Sequence, residues 1–375
     1  MLMKLLIHDL NEKEWNEVAG QYQGYEVISD RENIKPCVGC FGCWLKTPGQ
    51  CVIRDGYERM GTLIHQAEEV TVISRYTYGG FSSFVKNVID RSIGWVLPYM
   101  EIYRGEMHHQ RRYPEDKPIT FIFRGSSFTE TEKEKARTYV EAVCVNFRGW
   151  VKELKFIPCE VEAAGMQGEA CETDGVILLN GSLRGNNSNT RKFLTALAGR
   201  LTEGKMINLS ATRPEETQRV LLSARTLVLG MPLYVDGIPS QMLRVMERLE
   251  REPGGRKKVY VVSNMGFYES CQLKNLLSMV RDWCGKCGYE YCGGIAIGAG
   301  EMLKMFVNGQ GPGKNVGEGL ERLAAAIRTG EMAEDIYADA HAFPRWLYML
   351  AANSNWPRAG KMNGLKRGEL RKAGV

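Results

Sequence analysis

The chain has 375 residues, of which 44% are hydrophobic and 25% charged, enough apolar material for two domains of ordinary size and too much for wholesale disorder. Its longest apolar runs, such as Val176–Leu179 and Val259–Val262, fall far short of the roughly 18 residues of a membrane span, so no membrane is expected as a partner. The formal net charge of +5 gathers at one end: seven Lys/Arg stand against Glu369 alone between Arg345 and Val375. The remaining body is close to neutral, which argues against a nucleic acid partner engaged over the whole surface.

In chain order, Met1–Leu10 is apolar but runs into His8, Asp9 and a Glu-rich stretch without a small-residue cleavage site, which reads as a first strand and points to a cytoplasmic protein. Strand-like runs follow at Lys4–Ile7, Glu26–Ile28, Val70–Ser74, Ile119–Phe123 and Leu154–Ile157. Helical periodicity lies between them over Tyr57–Ala67, Phe81–Ile93 and Glu130–Asn146, the last with Thr129 as N-cap. The segment Pro158–Asp174, rich in Glu, Gly and Ala, reads as a linker. The pattern then restarts, with strands at Val176–Leu179, Met206–Leu209, Thr226–Gly230, Val259–Val262 and Gly294–Ile297 and helices at Ser188–Leu201, Ser240–Leu249 and Leu273–Cys287.

This α/β alternation predicts a domain over 1–158, a linker over 159–173, a second domain over 174–330 and a helical, basic extension over 331–375 that contains Trp346 and Trp356. Both halves carry a similar turn after the third strand, Tyr78-Gly79-Gly80 and Tyr234-Val235-Asp236. Each turn leads into a helix with an apolar face, as an internal duplication would produce. In a doubly wound sheet the carboxyl ends of the strands hold the ligand.

The run Asn180-Gly181-Ser182-Leu183-Arg184-Gly185-Asn186-Asn187-Ser188-Asn189-Thr190 leads from a strand into a helix. It offers two glycines, three hydroxyls and an arginine at a helix start, which suits a phosphate; the same residues also suit an ordinary capped helix. Neither G-x-G-x-x-G nor G-x-x-x-x-G-K-[ST] is present, so a monophosphate fits better than a dinucleotide or a nucleoside triphosphate. Here the sequence resembles the flavodoxin-like NAD(P)H-dependent FMN reductases, whose first loop reads G-S-x-R followed by S-N-T. The resemblance implies two tandem flavodoxin-like, doubly wound, parallel five-stranded sheets with FMN in the second. Ser182, Arg184, Ser188, Asn189 and Thr190 then stand at the phosphate. Pro232, Leu233, Tyr234 and Val235 stand on one flavin-facing loop, and Asn264, Gly266, Phe267 and Tyr268 on the other. NAD(P)H enters as co-substrate.

At the matching point the first half reads His8-Asp9-Leu10-Asn11-Glu12-Lys13-Glu14, with acids that repel a phosphate and neither glycine nor hydroxyl. It is expected to keep the fold without an FMN of its own. Tyr76, Tyr78 or the loop Glu106-Met107-His108-His109 would then cover the single flavin, in an intrachain pseudo-dimer or a homo-oligomer.

Cys37, Cys40, Cys43 and Cys51 form a C-x2-C-x2-C-x7-C array suited to an iron–sulfur cluster, zinc or metal-free redox thiols. The array resembles that of the iron–sulfur flavoproteins, which implies a [4Fe–4S] cluster on those four thiols. A second group, Cys284, Cys287 and Cys292, is expected in the core.

No hydrolase motif is present. The expected activity is an FMN-dependent oxidoreductase passing electrons from NAD(P)H or a reduced, ferredoxin-like carrier to a small acceptor such as a quinone, a flavin or a nitro compound. Two other readings fit the same residues: a non-catalytic iron–sulfur and flavin electron carrier, and a flavin-free binding protein.

Overall fold

The structure, a computed structural model, describes residues 3–30, 33–159, 173–366 and 368–372. The chain divides into two compact units, Met1–Glu162 with Met349–Val375, and Ala163–Tyr348. Of the linker expected over 159–173, residues 160–172 lie outside the described residues. Among the described residues no helix is long and apolar enough to cross a membrane.

The first unit contains β1 (Met3–His8), β2 (Tyr25–Ser29), β3 (Ala67–Arg75), β4 (Val96–Tyr103), β5 (Glu106–Arg111), β6 (Lys117–Gly125) and β7 (Gly149–Pro158). Five of these form one parallel sheet in the order β2-β1-β3-β6-β7, the doubly wound order of flavodoxin-like sheets. Central strands covered on both faces have to be apolar along their length; Leu5, Leu6 and Ile7 of β1 and Val70, Val72 and Ile73 of β3 are accordingly buried. The helix Ser83–Arg91 is buried from Phe84 onward, so Lys86 and Asp90, one turn apart, pair inside the unit.

The remaining two strands, β4 and β5, pair as an antiparallel hairpin. His108 and His109 therefore lie on a strand, which corrects the loop expected at Glu106–His109. The strand carries no β-branched residue, so it gave no propensity signal; what fixes it is the turn, with Arg104 at φ 51° and Gly105 at φ 88°. The chain's last residues complete this region. Asn353 brackets Met100, its Oδ1 accepting from the backbone N–H at 2.7 Å and its Nδ2 donating to the carbonyl at 2.9 Å. Arg112 donates to the carbonyls of Leu370 and Lys372.

The second unit contains β8 (Thr173–Asn180), β9 (Lys205–Asn208), β10 (Ala224–Pro232), β11 (Lys258–Asn264), β12 (Glu290–Ile297) and β13 (Ile336–Ala338). They form one parallel sheet in the order β13-β12-β11-β10-β8-β9. This sheet has six strands where five were expected, because β13, only three residues long, lies in the segment read as helical and is too short to show periodicity. The helix Lys274–Cys287 turns Cys284 and Cys287 inward, and both they and Cys292 of β12 are buried.

The two sheets share a register. The last residue of β1, His8, lies opposite Ile73, the seventh residue of nine in β3. The last residue of β8, Asn180, lies opposite Gly230, the seventh of nine in β10. His8 and Asn180, and with them Asp9 and Gly181, thus occupy equivalent places.

Candidate functional site

Asn180, at the carboxyl end of β8, organises the loop after it. Its Nδ2 donates to the Gly185 carbonyl at 3.1 Å and to Asn208 Oδ1 at 2.9 Å, and its Oδ1 accepts from the Ser182 N–H at 3.3 Å. The glycines serve packing. A Cβ on Gly181 would stand 2.2 Å from Met242 Sδ, and Gly185, at φ 54°, approaches Ser210 Oγ.

The hydroxyls divide by role. Ser188 donates to the Gly185 carbonyl at 2.8 Å and accepts from the Arg191 N–H at 3.1 Å, so it caps the helix Asn189–Ala198. Thr190 gives its proton to Asn264 Oδ1 at 2.8 Å. Ser182 is buried, and its Oγ faces the Arg184 N–H at 3.4 Å. Arg184 is exposed. Asn189 reaches the Glu301 carboxylate. The N–H groups of Asn189 and Thr190, in the first turn of this helix, have no intrahelical acceptor and sit at the positive end of the helix dipole.

The loop after β10 is a two-residue turn, closed by reciprocal bonds between Tyr234 and Gly237 of 3.2 and 3.0 Å. Both central residues are left-handed, Val235 at φ 38° and Asp236 at φ 57°, which is costly for a β-branched residue. Leu233 N–H donates to the Asn264 carbonyl at 2.9 Å. Asn264 thus receives the loop after β8 on its side chain and the loop after β10 on its backbone, and brings the three predicted loops together.

Beyond Asn264, Gly266 is exposed, with open space where a Cβ would stand. Tyr268 donates to the Phe343 carbonyl, and its ring packs on Tyr348 at 5.9 Å. Tyr234 and Phe267 are half-buried.

Sequence reasoning missed Gln241, Glu301 and Tyr348. Gln241 Nε2 donates to the Gly181 carbonyl at 3.2 Å, and its Oε1 is buried without a donor among the described residues. Tyr348 donates to the Gly266 carbonyl at 2.6 Å. None of the three stands in a motif. Each reaches the site from a distant part of the sequence.

At the equivalent place in the first unit the ends of the strands are filled from within. Asp9 is buried, and its carboxyl accepts the Arg75 N–H at 3.1 and 3.0 Å. Burial raises its pKa, opposed by Arg75 and by a hydrogen bond from Ser82. His8 stacks on Trp15 at 4.5 Å, and Asn11 and Glu14 form a capping box on a helix of seven residues. The turn after β3 repeats that after β10: Thr77 and Gly80 exchange bonds of 2.9 Å, with Tyr78 at φ 54° and Gly79 at φ 98°.

The cysteine loop is tied to the helix Ser83–Arg91. Asn87 Nδ2 donates to the Ile34 carbonyl at 2.9 Å. Arg91 forks onto Asp55 at 2.7 and 2.9 Å and donates to the Lys35 carbonyl at 2.7 Å. Burial pushes the Cys37 thiol up to about 12 and the Cys43 thiol well above its ordinary value, with the other thiols of the loop adding to both shifts. Cys40 is exposed, and its Sγ accepts the Gly42 N–H at 3.4 Å. Among the described residues no group of three or more His, Cys, Asp or Glu has the geometry to hold a metal ion. The [4Fe–4S] cluster expected on Cys37, Cys40, Cys43 and Cys51 therefore has no support among the described residues.

No protein-family model matches the chain, and no curated protein matches it either. Among solved structures it is similar to an azoreductase from Bacillus anthracis str. Sterne, at 14% identity and TM-score 0.31 over 42% of this chain and 100% of that one. It is similar to an FMN-dependent NADH-azoreductase from Bacillus anthracis str. Ames Ancestor, solved in complex with FMN, at 13% identity and TM-score 0.23 over 51% and 99%. It is similar also to an NAD(P)H:quinone oxidoreductase from Methanothermobacter marburgensis, at 11% identity and TM-score 0.25 over 53% and 99%. At these TM-scores the likenesses assign no role to any residue; the fold is read from the strand order itself.

Proposed function

We propose that the chain is an FMN-dependent oxidoreductase built from two duplicated flavodoxin-like units, with FMN held by the second. Electrons come from NAD(P)H or a reduced carrier and pass to a small acceptor such as a quinone, a flavin or a nitro compound. The observation that carries this reading is the convergence on Asn264 of the loops that follow β8, β10 and β11, at the carboxyl ends of adjacent strands where such sheets bind ligands. The residues fit the group: a buried hydroxyl at a helix start, a buried Gln241 Oε1 without a donor among the described residues, and open space above Gly266.

Ser182, Arg184 and the N–H groups of Asn189 and Thr190 would hold the phosphate. Ser188 and Thr190 hold the loop in shape. The N–H groups of Val235 and Gly266 would bond the ring edge, and Tyr234 and Phe267 would cover it. FMN supplies the hydride chemistry when bound; the chain supplies binding, orientation and exclusion of water. The first unit lacks an equivalent cradle, since Asp9 fills that place with a carboxyl group of its own.

The test is an FMN titration of the purified chain with a visible spectrum, iron analysis and an NAD(P)H oxidation assay. About one FMN per chain, lost on Ser182→Ala, supports the reading. A colourless chain that cannot be reconstituted overturns it.

A further inference from the structure

The loop after β11 is held from four points by one segment. Asp339 Oδ1 accepts the Ser270 N–H at 2.6 Å, the Phe343 carbonyl accepts from Tyr268, Arg345 pairs with Glu269 at 2.8 Å, and Tyr348 donates to the Gly266 carbonyl at 2.6 Å. The segment is itself fixed: Ala338 at the end of β13 accepts the Gly298 N–H at 3.2 Å, and the Asp339 carbonyl accepts from Asn315 at 3.0 Å.

We infer that Asp339–Tyr348 is a strap that sets the loop after β11 for its cofactor, and that the Tyr348 hydroxyl is a positioning group acting through Gly266. The inference rests on the proposed FMN site. Gly266 lacks both a Cβ and a neighbour within 4 Å of where one would stand, so no side chain of its own orients it; the carbonyls on either side are held, Met265 by the Gly300 N–H at 2.7 Å and Phe267 by the Ala299 N–H. The bond from Tyr348 orients the carbonyl between them. A trans peptide is planar and its C=O and N–H point in opposite directions; anchoring the Gly266 carbonyl on the strap side turns the Phe267 N–H to the other side. Tyr348 is suited to this, being 5% exposed, with burial holding its hydroxyl protonated.

Tyr348→Phe in the full chain keeps the ring against Tyr268 and removes only the hydroxyl. Its FMN dissociation constant is expected to rise about tenfold with a displaced visible flavin band, and amide exchange in residues 266–268 of the FMN-free chain is expected to quicken. Arg345→Gln, at a partly exposed anchor of the same strap, moves the same readouts in the same direction and serves if the first variant fails to fold. Wild-type affinity, spectrum and exchange in either folded variant overturn the strap while leaving the FMN reading intact. A wild-type chain that binds no FMN overturns that reading, and the inference falls with it.

Discussion

The hydroxyl of Thr190 donates to Asn264 Oδ1 at 2.8 Å across 74 residues of sequence, joining the first turn of the helix after β8 to the last residue of β11. Thr190→Val keeps the shape and removes the proton. The amide oxygen left behind in a buried site costs about 1–3 kcal/mol. Urea unfolding is expected to show that loss, and FMN titration a dissociation constant raised about tenfold. Unchanged FMN affinity would mean that the two loops are independent.

Val235 at φ 38° is a strained position, since a β-branched side chain resists the left-handed region. Strain of this kind costs on the order of 1–3 kcal/mol, and a glycine there gives part of that back in the entropy of the unfolded chain. Val235→Gly is expected to stabilise the chain by about 1 kcal/mol in urea. A destabilised variant would show that side-chain packing outweighs the backbone.

The Lys86 and Asp90 side chains are both fully buried. Breaking a buried ion pair costs about 3–5 kcal/mol, so Asp90→Asn is expected to lower the unfolding free energy by that much. The double replacement Lys86→Met with Asp90→Leu should recover most of it. Equal losses in the single and double variants would count against a paired charge.

His109 lies against the Pro98 carbonyl and the Trp44 ring, and its pKa is pushed down to about 4, chiefly by burial. The unfolded chain takes up this proton near 6.5 and the folded one only near 4. Stability is therefore complete above about pH 6.5 and falls as the pH drops towards 4, by about 3 kcal/mol in all. Urea unfolding at pH 7 and pH 4.5 measures the fall, and His109→Gln should flatten it. A wild-type slope in that variant would assign the proton to another group.

Much of the fold was legible because the central strands are buried on both faces and so read as short apolar runs, as Leu5–Ile7 of β1 and Val259–Val262 of β11 do. The hairpin β4–β5 did not, since its register is set by the left-handed pair Arg104-Gly105 and its strands carry no alternating apolar face strong enough to read. The site was legible in its residue types and less so in their work. Glycines at 181 and 185 invite a phosphate on paper and are explained in space by Met242 and Ser210. Ser188 and Thr190 have their protons committed within the protein. Tyr348 could not have been found from sequence, because its partner is a backbone carbonyl 82 positions away.

The division of the chain also sets an order of events during synthesis. The first unit needs Asn353 against Met100 and the Leu370 and Lys372 carbonyls against Arg112, so its hairpin waits for residues 353–372 to leave the ribosome. Every residue of the second unit, up to Tyr348, has been made by then. The unit encoded second is therefore the first whose residues are all available, and the nascent first unit must stay soluble with its hairpin unbraced while about half the chain is made.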